Sequence, residues 1–300
     1  MSCEHPLLAL DLGIDSETGS RKIKILPQRV DYNLKMLEYR YGKDSILALP
    51  CGKCLACKEA YRKQWTERCI CEAKLYESNC FVTLTYDELH VKKFLDRKDF
   101  SDFIRELRRE HKCRYFGCGE YGEKSLRIHG HFVLFGYMPD DLVPTGRSDN
   151  GVMLYSSKYL NALWKKGNVI IEEFHPNNAA YVAGYVGKKL SKGTVYDDHP
   201  EFIMMSTRPG IGYEYIVTHK EEWLRYNHLI GPKGRIMRLG RYAEKILGIS
   251  EEQKVKNIEC LRATENQLMN FFGVENREQL WYLKGKQVEN RVKHRRRKLC

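Results

Sequence analysis

His129 and His131, in the stretch RIHGHFV, stand two residues apart, and Glu120 precedes His129 by nine. Side chains two apart on a β-strand share a face, so both imidazoles can meet one ligand. Residues 114–120 and 126–136 read as two strands joined by the turn-like YGEKS, and in such a hairpin Glu120 can face the histidines from the other arm. Two imidazoles and a carboxylate form a mixed nitrogen–oxygen set with open positions. That set suits Mg²⁺ or Mn²⁺ working on phosphate oxygens better than a closed structural zinc. Two unrelated histidines on a polar face, with a solvated glutamate, remain the competing reading.

A second group lies in NAAYVAGYVGKKL, residues 178–190. On a helix Tyr181 and Tyr185 are i,i+4 neighbours, Lys188 shares their face and Lys189 borders it. Val182, Val186 and Leu190 lie on the opposite side and can pack. Gly184 and Gly187 each cost a helix about 1 kcal/mol, which is odd for a segment that only packs. The alternative is an aromatic stripe turned to the core with snorkelling lysines. A third group is Cys51, Cys54 and Cys57, spaced C-x₂-C-x₂-C ahead of a helix. Three thiolates need a fourth ligand for tetrahedral zinc; Cys3 is the candidate, with Cys69 or Cys71 behind it. Reduced cysteines packed at a helix start account for the spacing equally well.

The elements that must position these groups follow from periodicity. CFVTLTY (80–86) alternates as a strand, and 50–78 opens as a cysteine-bearing turn that becomes a helix to about Leu75. In 99–111 Phe100, Phe103, Ile104 and Leu107 form one helical stripe, with Asp99 as the expected N-cap. A short helix at 157–167, capped by Ser157 and stopped by Gly167, precedes a strand at 168–174 and a helix at 176–191. The order β-α-β-β-α-β-α over 80–191 predicts an α+β fold, a central antiparallel sheet covered by helices. Three segments are expected: a Cys-rich helical stretch (1–78), the core (79–200) and a mostly helical C-terminal region (201–300). Residues 1–50 read as loop-rich, and TRPGIGYEYI (207–216) as a turn followed by a short strand or helix. Arg62, Trp65 and Arg68 share a helical face, either against DNA or with Trp65 in the core.

The 300 residues carry 51 Lys+Arg against 39 Asp+Glu, a formal charge of +12, which suits a polyanionic partner. Nineteen tyrosines among basic residues fit single-stranded nucleic acid, whose exposed bases stack on rings. Six Lys/Arg in eight positions from Arg291 to Lys298 would add phosphate affinity without reading sequence. Eleven cysteines, an odd number, argue against a secreted disulfide framework. No apolar run of 18 residues and no leader pattern stands in the sequence, so a soluble, unexported protein is expected.

Taken together, a carboxylate and two histidines on a sheet, followed by a helix with paired tyrosines and lysines, resemble the HUH endonucleases of rolling-circle replication initiators. PCGKCLACKEAYRKQW, FVTLTYDE, GEYGEKSLRIHGHFVLFG, YVAGYVGKKL and RPGIG narrow the resemblance to the two-tyrosine initiators of gokushovirus-type microviruses, over about residues 50–215. One departure is Gly130, where that family usually has a bulky residue. The resemblance implies a metal-dependent endonuclease and strand-joining enzyme for single-stranded DNA, acting at a replication origin in the cytoplasm of an infected bacterium. Glu120, His129 and His131 would hold Mg²⁺ or Mn²⁺, and Tyr181 or Tyr185, aided by Lys188 and Lys189, would form a 5′-phosphotyrosine. Host helicase and polymerase would be the partners, and no membrane is involved. A mobilisation relaxase commonly carries its tyrosine ahead of the HUH strand, and a single-strand transposase commonly has one tyrosine. A zinc-stabilised, non-catalytic nucleic-acid-binding protein explains the charge and cysteines but leaves the two clusters as coincidences.

Overall fold

In a computed structural model, residues 3–17, 21–27, 34–42, 45–122, 125–188 and 198–297 are described, without the side chains of 186–188, 258, 261 and 295–297. The chain divides into two compact units, Met1–Ala60 with Gly248–Cys300, and Tyr61–Leu247.

The first unit contains β1 (Leu7–Ile14), β2 (Arg21–Ile25), α1 (Leu34–Tyr41) and β3 (Ile46–Leu49), with the strands in the antiparallel order β2-β1-β3. The sequence showed only loops here because β2 is charged (RKIKI) and β3 is four residues long, too short for periodicity to register. Leu10, Leu34, Leu37 and Ile46 pack with Trp281, which lies on the helix Arg277–Arg297. The Trp281 indole N–H donates to Glu265 Oε1 at 2.9 Å, so its polar edge is satisfied. α2 (Leu55–Ala73) begins in this unit and contributes its residues from Tyr61 onward to the second.

The second unit is built on β4 (Asn79–Thr85), α3 (Arg97–Glu110), β5 (Arg114–Tyr121), β6 (Ile128–Phe135), β7 (Leu142–Arg147), β8 (Met153–Ser157), α4 (Lys158–Trp164), β9 (Val169–Glu173), α5 (Pro176–Lys188) and β10 (Phe202–Met205). One seven-stranded sheet runs β10-β5-β6-β4-β9-β8-β7, antiparallel throughout. The expected α+β architecture of a helix-covered antiparallel sheet is therefore present, as are a cysteine cluster near the N-terminus and a helical C-terminus. Beyond the expected order stands the hairpin β7–β8. Its outer strand, LVPTGR, is exposed, contains Pro144 and shifts register by Gly146, which an edge strand tolerates and which hides alternation. TRPGIGYEYI resolves as a turn leading into the helix Tyr213–Thr218. Ser157 caps α4 as expected, accepting from Leu160 N. The α3 cap is Asp96, whose extended backbone lets its side chain accept from Lys98 N; Asp99 is one turn in, buried, and accepts the Tyr86 hydroxyl at 2.8 Å. No helix among the described residues is long and apolar enough to cross a membrane.

Period-two alternation divides the core between the two faces of the sheet. Val82, Leu84, Phe132, Leu134 and Phe202 pack with Phe100, Phe103, Ile104 and Leu107 of α3 and Leu160 and Trp164 of α4. Phe81, Phe116, Val133 and Phe135 pack on the other face with Cys69 of α2 and with Ala179, Val182, Ala183 and Tyr185 of α5. Trp65 stacks on Phe116 with ring centroids 5.2 Å apart and carries the Arg68 guanidinium at 3.9 Å, so the core reading of Trp65 holds. Gly130 has a reason on the first face. A Cβ there would lie 2.7 Å from Phe100 Cδ1, closer still to Cε1, and 3.0 Å from Phe132 Cε2. The α3 ring occupies the volume a bulky residue would otherwise fill.

Candidate active site

The hairpin register decides the cluster. β5 and β6 pair with Glu120 opposite His129 and Cys118 opposite His131, and β4 places Thr85 and Thr83 on the far side of the same histidines. Directly paired residues share a face, so Glu120, His129, His131 and Thr83 all project toward α5. The Nε2 atoms of His129 and His131 lie 2.7 and 3.1 Å from Glu120 Oε1. One ligand atom from each of the three residues falls within 4.8 Å of the others, a spacing that could hold a metal ion.

The surroundings of each group bear on that fit. His129 Nδ1 is 3.0 Å from the Arg127 carbonyl, which only accepts, so Nδ1 carries a proton and the neutral ring directs its Nε2 lone pair inward. Thr83 Oγ1, 3.0 Å from His131 Nδ1, turns the second ring the same way, and Phe81 stacks on that ring at 5.6 Å. Glu120 Oε2 is buried and has no hydrogen-bond partner among the described residues. Such an orphaned carboxylate oxygen beside two inward imidazole nitrogens fits a divalent cation. Burial opposes ionisation of Glu120, but bonds from His129 and His131, the His131 charge and the Tyr181 hydroxyl outweigh it and hold the carboxyl at about 2. Burial also disfavours charge on His129, yet its bonds to Glu120 and the Arg127 carbonyl raise it above the ordinary imidazole value. For His131 burial prevails and the value falls.

α5 delivers the phenol. Pro176 opens the helix, the Asn178 side chain accepts from His175 N at 2.7 Å, and its Nδ2 donates to Glu172 on β9 at 3.2 Å, which anchors the first turn to the sheet. Ala179, Val182 and Ala183 are buried and form the packing face. One helical face is thereby turned toward the histidines. The Tyr181 hydroxyl donates to Glu120 Oε1 at 2.7 Å, and its ring stands edge-on to His131 with centroids 4.9 Å apart. Tyr185 donates to the Tyr181 oxygen at 3.2 Å. The two tyrosines are not equivalent: Tyr181 is 44 % exposed, whereas Tyr185 is 8 % exposed and sits in the core. The aromatic-stripe reading thus describes Tyr185's ring, and the active-face reading describes Tyr181. Lys188 ends α5 with its side chain outside the described residues, as is that of Val186; Lys189 and Leu190 lie outside them altogether.

Several supporting groups carried no motif. Thr83 and Thr85 sit in the alternation that marked β4 as a strand, but only register shows that Thr83 meets a histidine. Glu201, one residue before β10, accepts Tyr121 N–H at 3.4 Å, and its charge adds to the raising of His129. Of the cysteines, Cys3, Cys51, Cys54 and Cys57 converge, while Cys69 and Cys71 are buried outside that group.

Residues 79–190 match the ORF2-type family of replication-associated proteins. The chain is 30 % identical over 207 residues to the replication-associated protein VP4 of Bdellovibrio phage phiMH2K, covering 65 % of this chain and 66 % of that one. It is 34 % identical over 209 residues to the replication-associated protein ORF2 of Spiroplasma virus 4, covering 63 % and 64 %. With the replication-associated protein ORF4 of Chlamydia phage 1 it shares 30 % identity over 206 residues, 64 % and 52 % of the two chains. In each case the match spans less than two thirds of the relative's own length. No solved structure matches the chain.

Proposed function

From the premise that this chain is a relative of the phage replication-associated proteins, we propose that it nicks and rejoins single-stranded DNA at a replication origin through a tyrosine nucleophile. The observation that carries the reading is the Tyr181 hydroxyl 2.7 Å from the carboxylate oxygen that both histidine Nε2 atoms also meet. Glu120, His129 and His131 would hold Mg²⁺ or Mn²⁺, which when bound supplies Lewis-acid polarisation of a phosphate oxygen. Tyr181 Oη bonds to the scissile phosphorus, the phosphorus–O3′ bond breaks, the phenol proton departs and the leaving 3′-oxygen takes one up. The product is a 5′-phosphotyrosine and a free 3′-OH, which a host polymerase behind a host helicase can extend in the infected cell.

Exposure supports Tyr181 as the first nucleophile. Tyr185 starts as its hydrogen-bond donor and orients its oxygen, then serves as the second nucleophile once the DNA occupies Tyr181. Lys188 and Lys189, following on the same helix, would place cations beside the phosphate. The test incubates the full chain and Mn²⁺ with origin-bearing single-stranded DNA and resolves adducts on a denaturing gel. A covalent adduct is expected, abolished by EDTA and by Tyr181→Phe combined with Tyr185→Phe. An adduct that survives the double substitution refutes the tyrosine mechanism. Mapping an early adduct to Tyr185 instead of Tyr181 refutes the order alone.

A further inference from the structure

A second cluster stands in the first unit. Cys3, Cys51, Cys54 and Cys57 bring their sulfurs within 4.8 Å of one another. Cys3 and Cys54 are 3.8 Å apart and Cys51 and Cys57 3.9 Å. A disulfide requires about 2.05 Å, so these are not bonded pairs. A tetrahedron with metal–sulfur distances of about 2.3 Å has edges of about 3.8 Å, the separation of both pairs. A cubane cluster needs its ligands much farther apart, so the spacing selects a single ion.

The backbone is shaped to the same end. Gly52 turns with φ +74°, the left-handed region that glycine enters freely, and folds C-G-K-C over Cys51. The turn directs Lys53 N–H and Cys54 N–H onto Cys51 Sγ at 3.4 and 3.3 Å, and Cys51 N–H onto Cys3 Sγ at 3.4 Å. Donors aimed at sulfur stabilise thiolates, the form that ligates. The helix α2 begins at Leu55, so its positive end lies beside the four sulfurs.

We propose that Cys3, Cys51, Cys54 and Cys57 form a closed structural zinc site that ties the segment preceding β1 to the start of α2. Four thiolates select a soft tetrahedral ion and leave no open position, so this ion takes no part in phosphate chemistry. Its existence is independent of the nicking reading. Elemental analysis of the reduced full chain, produced with zinc present, is expected to find one zinc per chain. The zinc persists in His129→Ala combined with His131→Ala and is lost in Cys54→Ser. Cobalt substitution of the unaltered chain gives tetrahedral d–d bands with thiolate-to-cobalt charge transfer, a readout that does not depend on the serine variant folding. Reduced protein without metal, iron in place of zinc, zinc that leaves with the histidines, or cobalt lacking the thiolate band each overturns the proposal.

Discussion

Gly130→Ala is the most severe test of how the histidine strand is seated. The added methyl would meet Phe100 Cδ1 at 2.7 Å and Phe132 Cε2 at 3.0 Å, inside van der Waals contact. Phe100 has nowhere to go: it is fully buried, with Trp164, Phe132, Phe202 and Tyr86 ring centroids 5.6, 5.8, 5.8 and 6.1 Å away. Overpacking of this kind costs about 1–3 kcal/mol. Replacing glycine returns about 0.4–1 kcal/mol by restricting the unfolded chain, where the native backbone accepts a side chain. The net expectation is a loss of about 2 kcal/mol, or about 4–8 °C in Tm for a unit of this size. Because His129 and His131 flank the site on the other face, the strand shift also weakens Mn²⁺ binding. The assay is a double-mutant cycle with Phe100→Leu, read by guanidinium unfolding and Mn²⁺ titration. Shortening Phe100 makes room, so the pair should be less destabilised than the sum of the singles by at least ~1 kcal/mol. Gly130→Ala within ~0.5 kcal/mol of the parent, or strict additivity, refutes the argument.

Thr83→Val keeps the β-branched shape and removes the hydroxyl that meets His131 Nδ1, so Mn²⁺ affinity measured by calorimetry should fall about 10–100-fold with little change in fold; unchanged affinity removes Thr83 from the site. Glu67 is buried on α2, its Oε1 lacks a hydrogen-bond partner among the described residues, and Lys63 Nζ stands 3.6 Å off. Burial raises its carboxyl, so folding stability is highest below the ordinary carboxylate range and falls as pH rises through the raised folded value; Glu67→Gln should flatten that slope in denaturation curves taken across pH. Tyr185→Phe removes the donor to Tyr181 but leaves the nucleophile, so single-turnover adduct formation slows, whereas Tyr181→Phe alone abolishes the early adduct; equal rates for the two variants would count against the assigned order.

Local spacing reached far in this chain. A strand repeats every two residues and a helix every 3.6. His129 and His131 therefore share a face, and Tyr181 and Tyr185 share another, in any fold that keeps those elements. The same logic found β4, α3, the β5–β6 hairpin, α4, β9 and α5, since each is long enough for its pattern to register. It failed for β1–β3, which are short or charged, and for the β7–β8 edge, where Pro144 interrupts the alternation. Placing α3's cap at Asp99 failed for a different reason. Aspartate suits both a cap and a buried acceptor, and only the Tyr86 hydroxyl on β4's far end assigns it the second role.

What periodicity cannot supply is which face meets which neighbour. Tyr181 and Tyr185 are alike in sequence, yet α5 lies on the sheet so that one ring enters the core and the other reaches Glu120. Gly130 is a departure from pattern until α3 crosses it with Phe100. Cys3 joins the C-x₂-C-x₂-C turn only because the chain returns across 48 residues to meet Cys51. Each of these outcomes is a contact between residues distant in the chain. Such contacts are fixed by the shapes of two packed surfaces, and neither surface is written in the local spacing of the other.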